Sequence, residues 1–161
     1  MIESKIVTQT EARRISRRLH RRGKKMVFTN GCFDLVHSGH AVYLHKARSK
    51  GDFLIVGLNK DDSVRRLKGR GRPLLRFRER ALLLAYLVPV DLVVGFGQDT
   101  PLSLIRMLRP DILVKGADYS ISEIVGAEDV LGWGGQVFTI PLVRGRSSTR
   151  LVDRLLSGLG E

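Results

Sequence analysis

At 161 residues the chain has room for one compact α/β domain with its own core, and not for two of full size. Its longest apolar stretch, Ala81 to Val90, is broken by Pro89 and too short to span a bilayer, so no membrane contact is expected; the charged N-terminus lacks the apolar core of a secretory signal, which points to a cytoplasmic protein. The lone Cys32 excludes an intrachain disulfide and a cysteine-rich zinc site, while the net charge of +12 raises the question of a nucleic-acid partner.

The location of the charge answers that question better than its size. Residues 1–25 hold nine Lys/Arg against two Glu, and residues 65–80 hold eight more against Glu79 alone. A nucleic-acid binder usually sets exposed aromatics among its cations for stacking, yet only ten Phe, Trp and Tyr occur and none cluster with the arginines, so no nucleic acid is expected. The first stretch reads as a solvated helix face and the second as a phosphate-handling loop.

In chain order, Thr8-Gln9-Thr10-Glu11 reads as a capping box, and Ala12, Ile15 and Leu19 recur at helical spacing until Gly23. Residues 1–24 are thus expected to be an amphipathic helical extension, and residues 25–161 the main domain. Lys25 to Thr29 is a short apolar strand, followed by a glycine-containing loop and a helix carrying Val42, Leu44 and Ala47. Phe53 to Leu58 is the next strand, Arg78 to Val88 an apolar helix, and Leu92 to Val94 a third strand ending in Gly95. Pro101 opens a helix through Leu108, and Ile112 to Val114 makes a fourth strand. Gln136 to Ile140 makes a fifth after breaks at Gly132 and Gly134-Gly135, and a helix from about Ser148 to Leu156 closes the chain. Short strands alternating with helices predict a Rossmann-like α/β fold, a parallel sheet flanked by helices. Ligands then bind beyond the carboxyl ends of the strands, among the loops after Thr29, Asn59, Gly95, Lys115 and Ile140.

The segment Asn30-Gly31-Cys32-Phe33-Asp34-Leu35-Val36-His37-Ser38-Gly39-His40 leaves the first main strand and opens a helix. Gly31 lets backbone N–H groups turn toward an anion, and the helix start near Ser38 adds unpaired donors with partial positive charge, so phosphate is the natural guest. His37 and His40, three apart, can donate to phosphate oxygens from one side, and Gly39 leaves room for close approach. Alternatives for the pair are a fragment of a metal site, or one ring capping and the other packing. The segment is neither a Walker A loop nor a dinucleotide fingerprint. Cys32 reads as a small loop residue, since no base is placed to activate it. His20 and His45 read as surface positions, and Trp133 as packed against the sheet or a partner chain.

H-x-G-H after this loop resembles the HxGH nucleotidyltransferase superfamily. More closely, Thr29 to Asp34, Arg66-Leu67-Lys68-Gly69, Arg72-Pro73, Glu79-Arg80, Asp99-Thr100-Pro101, Leu113 to Tyr119 and Ser147-Ser148-Thr149 resemble the heptose 1-phosphate adenylyltransferase family, in order from about Lys24 to Leu156. That resemblance implies magnesium-dependent transfer of AMP from ATP to D-glycero-β-D-manno-heptose 1-phosphate, giving ADP-heptose for lipopolysaccharide core synthesis, and pyrophosphate. It implies that His37 and His40 hold the α- and β-phosphates, that the backbones of Cys32 and Phe33 line the same pocket, and that Asp34 shapes the loop, with magnesium or a histidine left open as its further partner. Lys68, on the mobile segment of Gly69 and Gly71, would bridge the attacking and α-phosphates. Arg80 would contact phosphate or nucleotide, with an ion pair to Glu79 or Asp91 as the structural alternative. Lys115-Gly116-Ala117-Asp118 would hold base and ribose, Asp118 accepting from a ribose hydroxyl. Arg146, Ser147, Ser148 and Thr149 would meet the outer phosphates at a helix start, where ordinary N-capping is the alternative. A separate heptose kinase and a homo-oligomer are expected partners. The runner-up activities are a glycerol-3-phosphate-type cytidylyltransferase, flavin or pantetheine adenylyl transfer, and a non-catalytic nucleotide- or RNA-binding module.

Overall fold

The structure, a computed structural model, describes residues 2–141 and residues 152, 157 and 158. After a 3-10 turn at Ile2–Lys5 come β1 (Ile6–Val7), α1 (Gln9–Arg21), β2 (Met26–Gly31), α2 (Ser38–Arg48), β3 (Phe53–Asn59), α3 (Asp61–Lys68) and α4 (Phe77–Tyr86). Then follow β4 (Leu92–Phe96), α5 (Leu102–Leu108), β5 (Ile112–Gly116), α6 (Ala127–Gly132) and β6 (Gln136–Ile140). All six strands run parallel, in the order β1-β4-β3-β2-β5-β6. Central strands of a sheet covered on both faces must be apolar on both sides, and Leu54, Ile55 and Val56 in β3 are all 0% exposed. Alternate strand residues divide between two cores. Val27, Leu54 and Val56 pack with α2 and α4, whereas Phe28, Ile55 and Val94 pack with α1, α5 and α6. Among the described residues no helix is long and apolar enough to cross a membrane.

The chain steps from β2 to β3 to β4 in one direction and then crosses to β5 on the other side of β2. Such a reversal opens a crevice at the carboxyl ends of the two strands that flank it. The register shows the opening. β2 pairs with β3 as far as Gly31↔Leu58, but with β5 only at Val27↔Ile112 and Phe28↔Leu113, so β2 and β5 part above Phe28.

Three elements depart from the sequence expectation. The N-terminal segment supplies an edge strand as well as its helix, with Ile6↔Val93 and Val7↔Val94 in register; two residues are too few to show a period. Residues 65–80 read as a loop, but the start of that stretch belongs to α3, whose apolar content is little more than Val64 and Leu67. It is sustained by end charges, Asp61 and Asp62 in its first turn and Arg65, Arg66 and Lys68 in its last, which complement the helix dipole. The short α6 precedes the Gly134-Gly135 break and buries only Ala127 and Val130. The expected closing helix from Ser148 lies mostly outside the described residues.

Candidate functional site

Gly31 ends β2, and Phe33 turns back over it in a left-handed conformation at φ 45°. A Cβ at Gly31 would stand 2.9 Å from Cε2 of Phe33, so glycine alone lets the ring fold down. Phe33 in turn meets His40 edge-on, 5.1 Å between centroids, and His40 stacks on His37 at 3.9 Å and 24°. His37 caps α2: its Nδ1 accepts from Gly39 N at 3.1 Å, while His37 N approaches His40 Nδ1 at 3.4 Å. Nδ1 is thus placed to accept on each ring, and the His40 ring also hydrogen-bonds to the backbone of Leu35. Burial, reinforced by the nearby His37 and Lys68, pushes His40 down to about 4, so it stays neutral at pH 7.

A cavity of about 500 Å³ fills the crevice between β2 and β5, lined by Asn30, Gly31, Cys32, Phe33 and His40 on one side and by Lys115, Gly116 and Asp118 on the other. Lys68 at the end of α3 borders it. Lys115 Nζ spans the parted strands, 3.3 Å from Asn30 Oδ1, and burial lowers its pKa. Burial also pushes the Cys32 thiol up, against the pull of Lys68 and Arg80, so it is protonated and no nucleophile. Tyr119 ends the block from Leu113 that resembles the family, but sequence reasoning gave it no role and missed the rest of its wall, Glu123, Ile124 and Val125, which comes from the turn after β5. Tyr43 of α2, not singled out in the sequence, also lines the cavity; its hydroxyl lies 2.8 Å from Thr29 Oγ1, and burial raises its pKa to about 12.

Two expected contacts stand elsewhere. Asp34 is fully buried, its Oδ2 bound to Arg72 Nη1 at 2.7 Å and its Oδ1 accepting from Leu74 N at 2.6 Å and Leu75 N at 3.3 Å. Burial alone would raise its pKa, but those donors hold it below the usual range. Both oxygens are therefore taken up in fastening the basic loop to the histidine loop, with neither turned to a histidine. Arg80, expected on the ligand, is also fully buried and pairs with neither Glu79 nor Asp91. It donates to Cys32 O (2.6 Å), Asn59 O (2.9 Å), Leu75 O (2.9 Å) and Asp61 Oδ1 (2.6 Å), joining the ends of β2 and β3 to the starts of α3 and α4. His37 and Gly39 sit behind the cavity wall rather than in it, and Arg146, Ser147, Ser148 and Thr149 lie outside the described residues. Among the described residues no three His, Cys, Asp or Glu side chains gather as a metal site.

A parallel sheet with a histidine-capped helix and two lysines at its switch point is a nucleotide-handling arrangement. The model of the cytidylyltransferase-like family matches residues 28–153, and the chain belongs to that family, which makes it a nucleotidyltransferase. Among curated relatives, the bifunctional protein HldE of Citrifermentans bemidjiense is 59% identical over 140 residues, covering 87% of this chain and 29% of that protein. HldE of Magnetococcus marinus is 54% identical over 94% of this chain and 31% of its own length. The chain thus spans less than a third of these relatives. A solved lipopolysaccharide core biosynthesis protein from Thermoplasma volcanium superposes with a TM-score of 0.61 at 26% identity, over 77% of this chain and all of that one. Pantoate-β-alanine ligase from Francisella tularensis, with a TM-score of 0.60 at 15% identity over 97% of this chain and 79% of its own, shares the fold.

Proposed function

We propose that the chain transfers AMP from ATP to D-glycero-β-D-manno-heptose 1-phosphate, releasing pyrophosphate and forming ADP-heptose. The observation that carries the reading is His40, neutral at pH 7 and stacked on the capping ring of His37 at the start of α2, which shares one cavity with Lys68 and Lys115. The identity to HldE proteins and the likeness to a lipopolysaccharide core biosynthesis protein support the sugar phosphate as acceptor.

In this reading the triphosphate lies along the loop from Asn30 to His40, and a sugar-phosphate oxygen attacks the α-phosphorus in line while the bond to the pyrophosphate oxygen breaks. Negative charge grows on the leaving group, and the ring of His40, backed by His37, turns from the backbone of Leu35 to donate to it without itself giving up a proton. Lys68 follows the charge between the attacking phosphate and the α-phosphate from the last turn of α3, which Gly69 closes at a φ of 89°. Asp118 and Lys115 take the nucleoside end, and Arg146 to Thr149 the outer phosphates. Asp34 and Arg80 act as positioning residues. Asp34 has both oxygens engaged and no acidic cluster stands among the described residues, so magnesium would be held mainly by the substrate phosphates, where it would neutralise their charge. The sugar phosphate comes from a separate phosphorylation step, and self-association is compatible with the exposed end of α4.

The family model favours a second reading, cytidylyl transfer to a polyol phosphate. Pyrophosphate release with ATP and CTP, each against heptose 1-phosphate and glycerol 3-phosphate, separates the two: release from ATP and the heptose alone is expected, and release only with CTP overturns the adenylyl assignment. His40→Ala should lower turnover by about 10²–10³-fold with the circular dichroism spectrum unchanged. Near-normal turnover in that variant sinks the mechanism.

A further inference from the structure

Far from the cavity, α1 carries a second concentration of charge. Arg13, Arg17 and Arg21 form one row at helical i, i+4 spacing, with Arg14, Arg18 and Arg22 beside it, all exposed. Among the described residues none of these six forms an ion pair, and only Arg14 has a carboxylate, Glu11, within electrostatic reach. Rows of like charge along one face repel, so they are best satisfied by an external anionic surface. The same arginine face on a second copy would repel it, so that face is no partner for itself.

The neighbourhood of α1 adds a different chemistry. Ser16 Oγ donates to Leu108 O at 2.6 Å, which seats the corner after α5 against the middle of α1. The next residue, Arg109, is exposed and lays its guanidinium 4.9 Å from the centre of the half-buried Trp133 ring. Trp133 is tied to the same corner through Pro110 O at 3.0 Å, and Leu131 nearby is 51% exposed. An aliphatic side chain and an indole edge among cations is the composition of a surface that meets lipid headgroups. It does not suit nucleic acid: the Trp133 ring is partly covered by Arg109 and its N–H is used, so no free stacking platform remains, and the Gln9 amide is spent on Gly95 O. The apolar stripe of α1 itself is turned inward, with Ala12 fully buried and Ile15 and Leu19 against the core, so the helix cannot insert.

We propose that the face formed by α1, Arg109, Leu131 and Trp133 docks on an anionic lipid bilayer by surface attraction. α1 runs down to the amino ends of the strands, where Asp111 receives Met26 N at 2.8 Å, whereas the cavity opens at their carboxyl ends. Docked through the lower part of this face, the protein keeps its cavity open to solvent. The proposal is independent of which nucleotide or acceptor the cavity takes.

The test is co-sedimentation of the full chain with vesicles of equal parts phosphatidylglycerol and phosphatidylcholine, against phosphatidylcholine alone, at about 0.1 M salt, where the screening length is about 10 Å. Trp133 is the sole tryptophan, so its emission reports contact directly. Binding to the anionic vesicles only, a blue shift of that emission and release at high salt are expected. Arg17→Gln with Arg21→Gln should weaken binding about thirtyfold, and charge reversal of Arg13, Arg17 and Arg21 to Glu by well over a hundredfold, with pyrophosphate release unchanged. The milder pair keeps the test valid if the triple variant misfolds. Absence of binding, binding undiminished in the Gln pair, or an unmoved Trp133 emission overturns the proposal. Displacement from vesicles by duplex RNA at matched phosphate concentration also overturns it, in favour of a nucleic-acid face.

Discussion

The two basic stretches have nearly the same composition and opposite structural fates. In residues 65–80 four of the cations are paired: Arg72 with Asp34 and Arg80 with Asp61 are built into the interior, and Arg65 with Asp62 and Arg66 with Asp99 meet at the surface. Along α1 the arginines face solvent with no ion pair among the described residues, while His20 approaches Asp111, Lys24 and Lys25 beyond the helix end meet Asp52 and Asp111, and Lys5 before it donates to Val90 O. Net charge alone therefore says little about what a basic segment does. A cation held by carboxylates and carbonyls shapes the chain around it, whereas one left in water is available to a partner.

The largest expected effect tests the built-in half of that contrast. Arg80→Ala strips four acceptors of a buried guanidinium and leaves Asp61 without its partner, so unfolding in denaturant should show a loss of about 3–5 kcal/mol, if the variant folds at all. A loss under about 0.5 kcal/mol, the range of ordinary surface substitutions, would put Arg80 back on the ligand, where the sequence had it.

The partners of Arg80 show where sequence reasoning ends. The strands and the histidine loop were legible because they depend on local pattern: apolar runs between glycines, and H-x-G-H directly after a strand. Arg80 was placed on phosphate because an arginine beside a ligand loop and one stitched to Cys32 O and Asn59 O look alike in one dimension; the acceptors are backbone atoms 48 and 21 residues away. Asp34 hides for the same reason, its partners lying 38 to 41 residues on. α3 was missed because its stability comes from end charges rather than an apolar stripe, and the wall from Tyr119 to Val125 because it is a loop whose position alone gives it a role.

Next in size is the one lysine of the second stretch that borders the cavity. Lys68→Ala should lower turnover by about 10²-fold or more while leaving stability almost unchanged, the reverse of the Arg80 profile, as read by pyrophosphate release and denaturant unfolding on the same sample. A variant that loses stability and keeps turnover would assign Lys68 to the scaffold.

The same substitution has a subtler electrostatic readout. Burial first, then His37 and Lys68, hold His40 at about 4, so removing the Lys68 charge should let the His40 midpoint rise in an NMR titration of the free protein. Because the folded His40 resists protonation, the unfolded state binds more protons between about pH 6.5 and 4, and His40's contribution to stability is present above that window and lost as pH falls through it. Neutralising Arg17 should leave the midpoint where it is. An equal shift from both variants would mean that His40 senses overall charge rather than its neighbour.

The smallest effect belongs to α1. Replacing Arg13, Arg17 or Arg21 singly with Gln removes no ion pair among the described residues and exposes no buried group, so thermal unfolding should move by no more than the equivalent of about 0.5 kcal/mol. The sign is informative: each change relieves an i, i+4 repulsion worth a few tenths of a kcal/mol, so the helix should gain slightly at low salt, and the gain should fade as salt screens the row. A clear loss of stability at low salt would mean that these arginines are held from within, and the distinction between the two basic stretches would not stand.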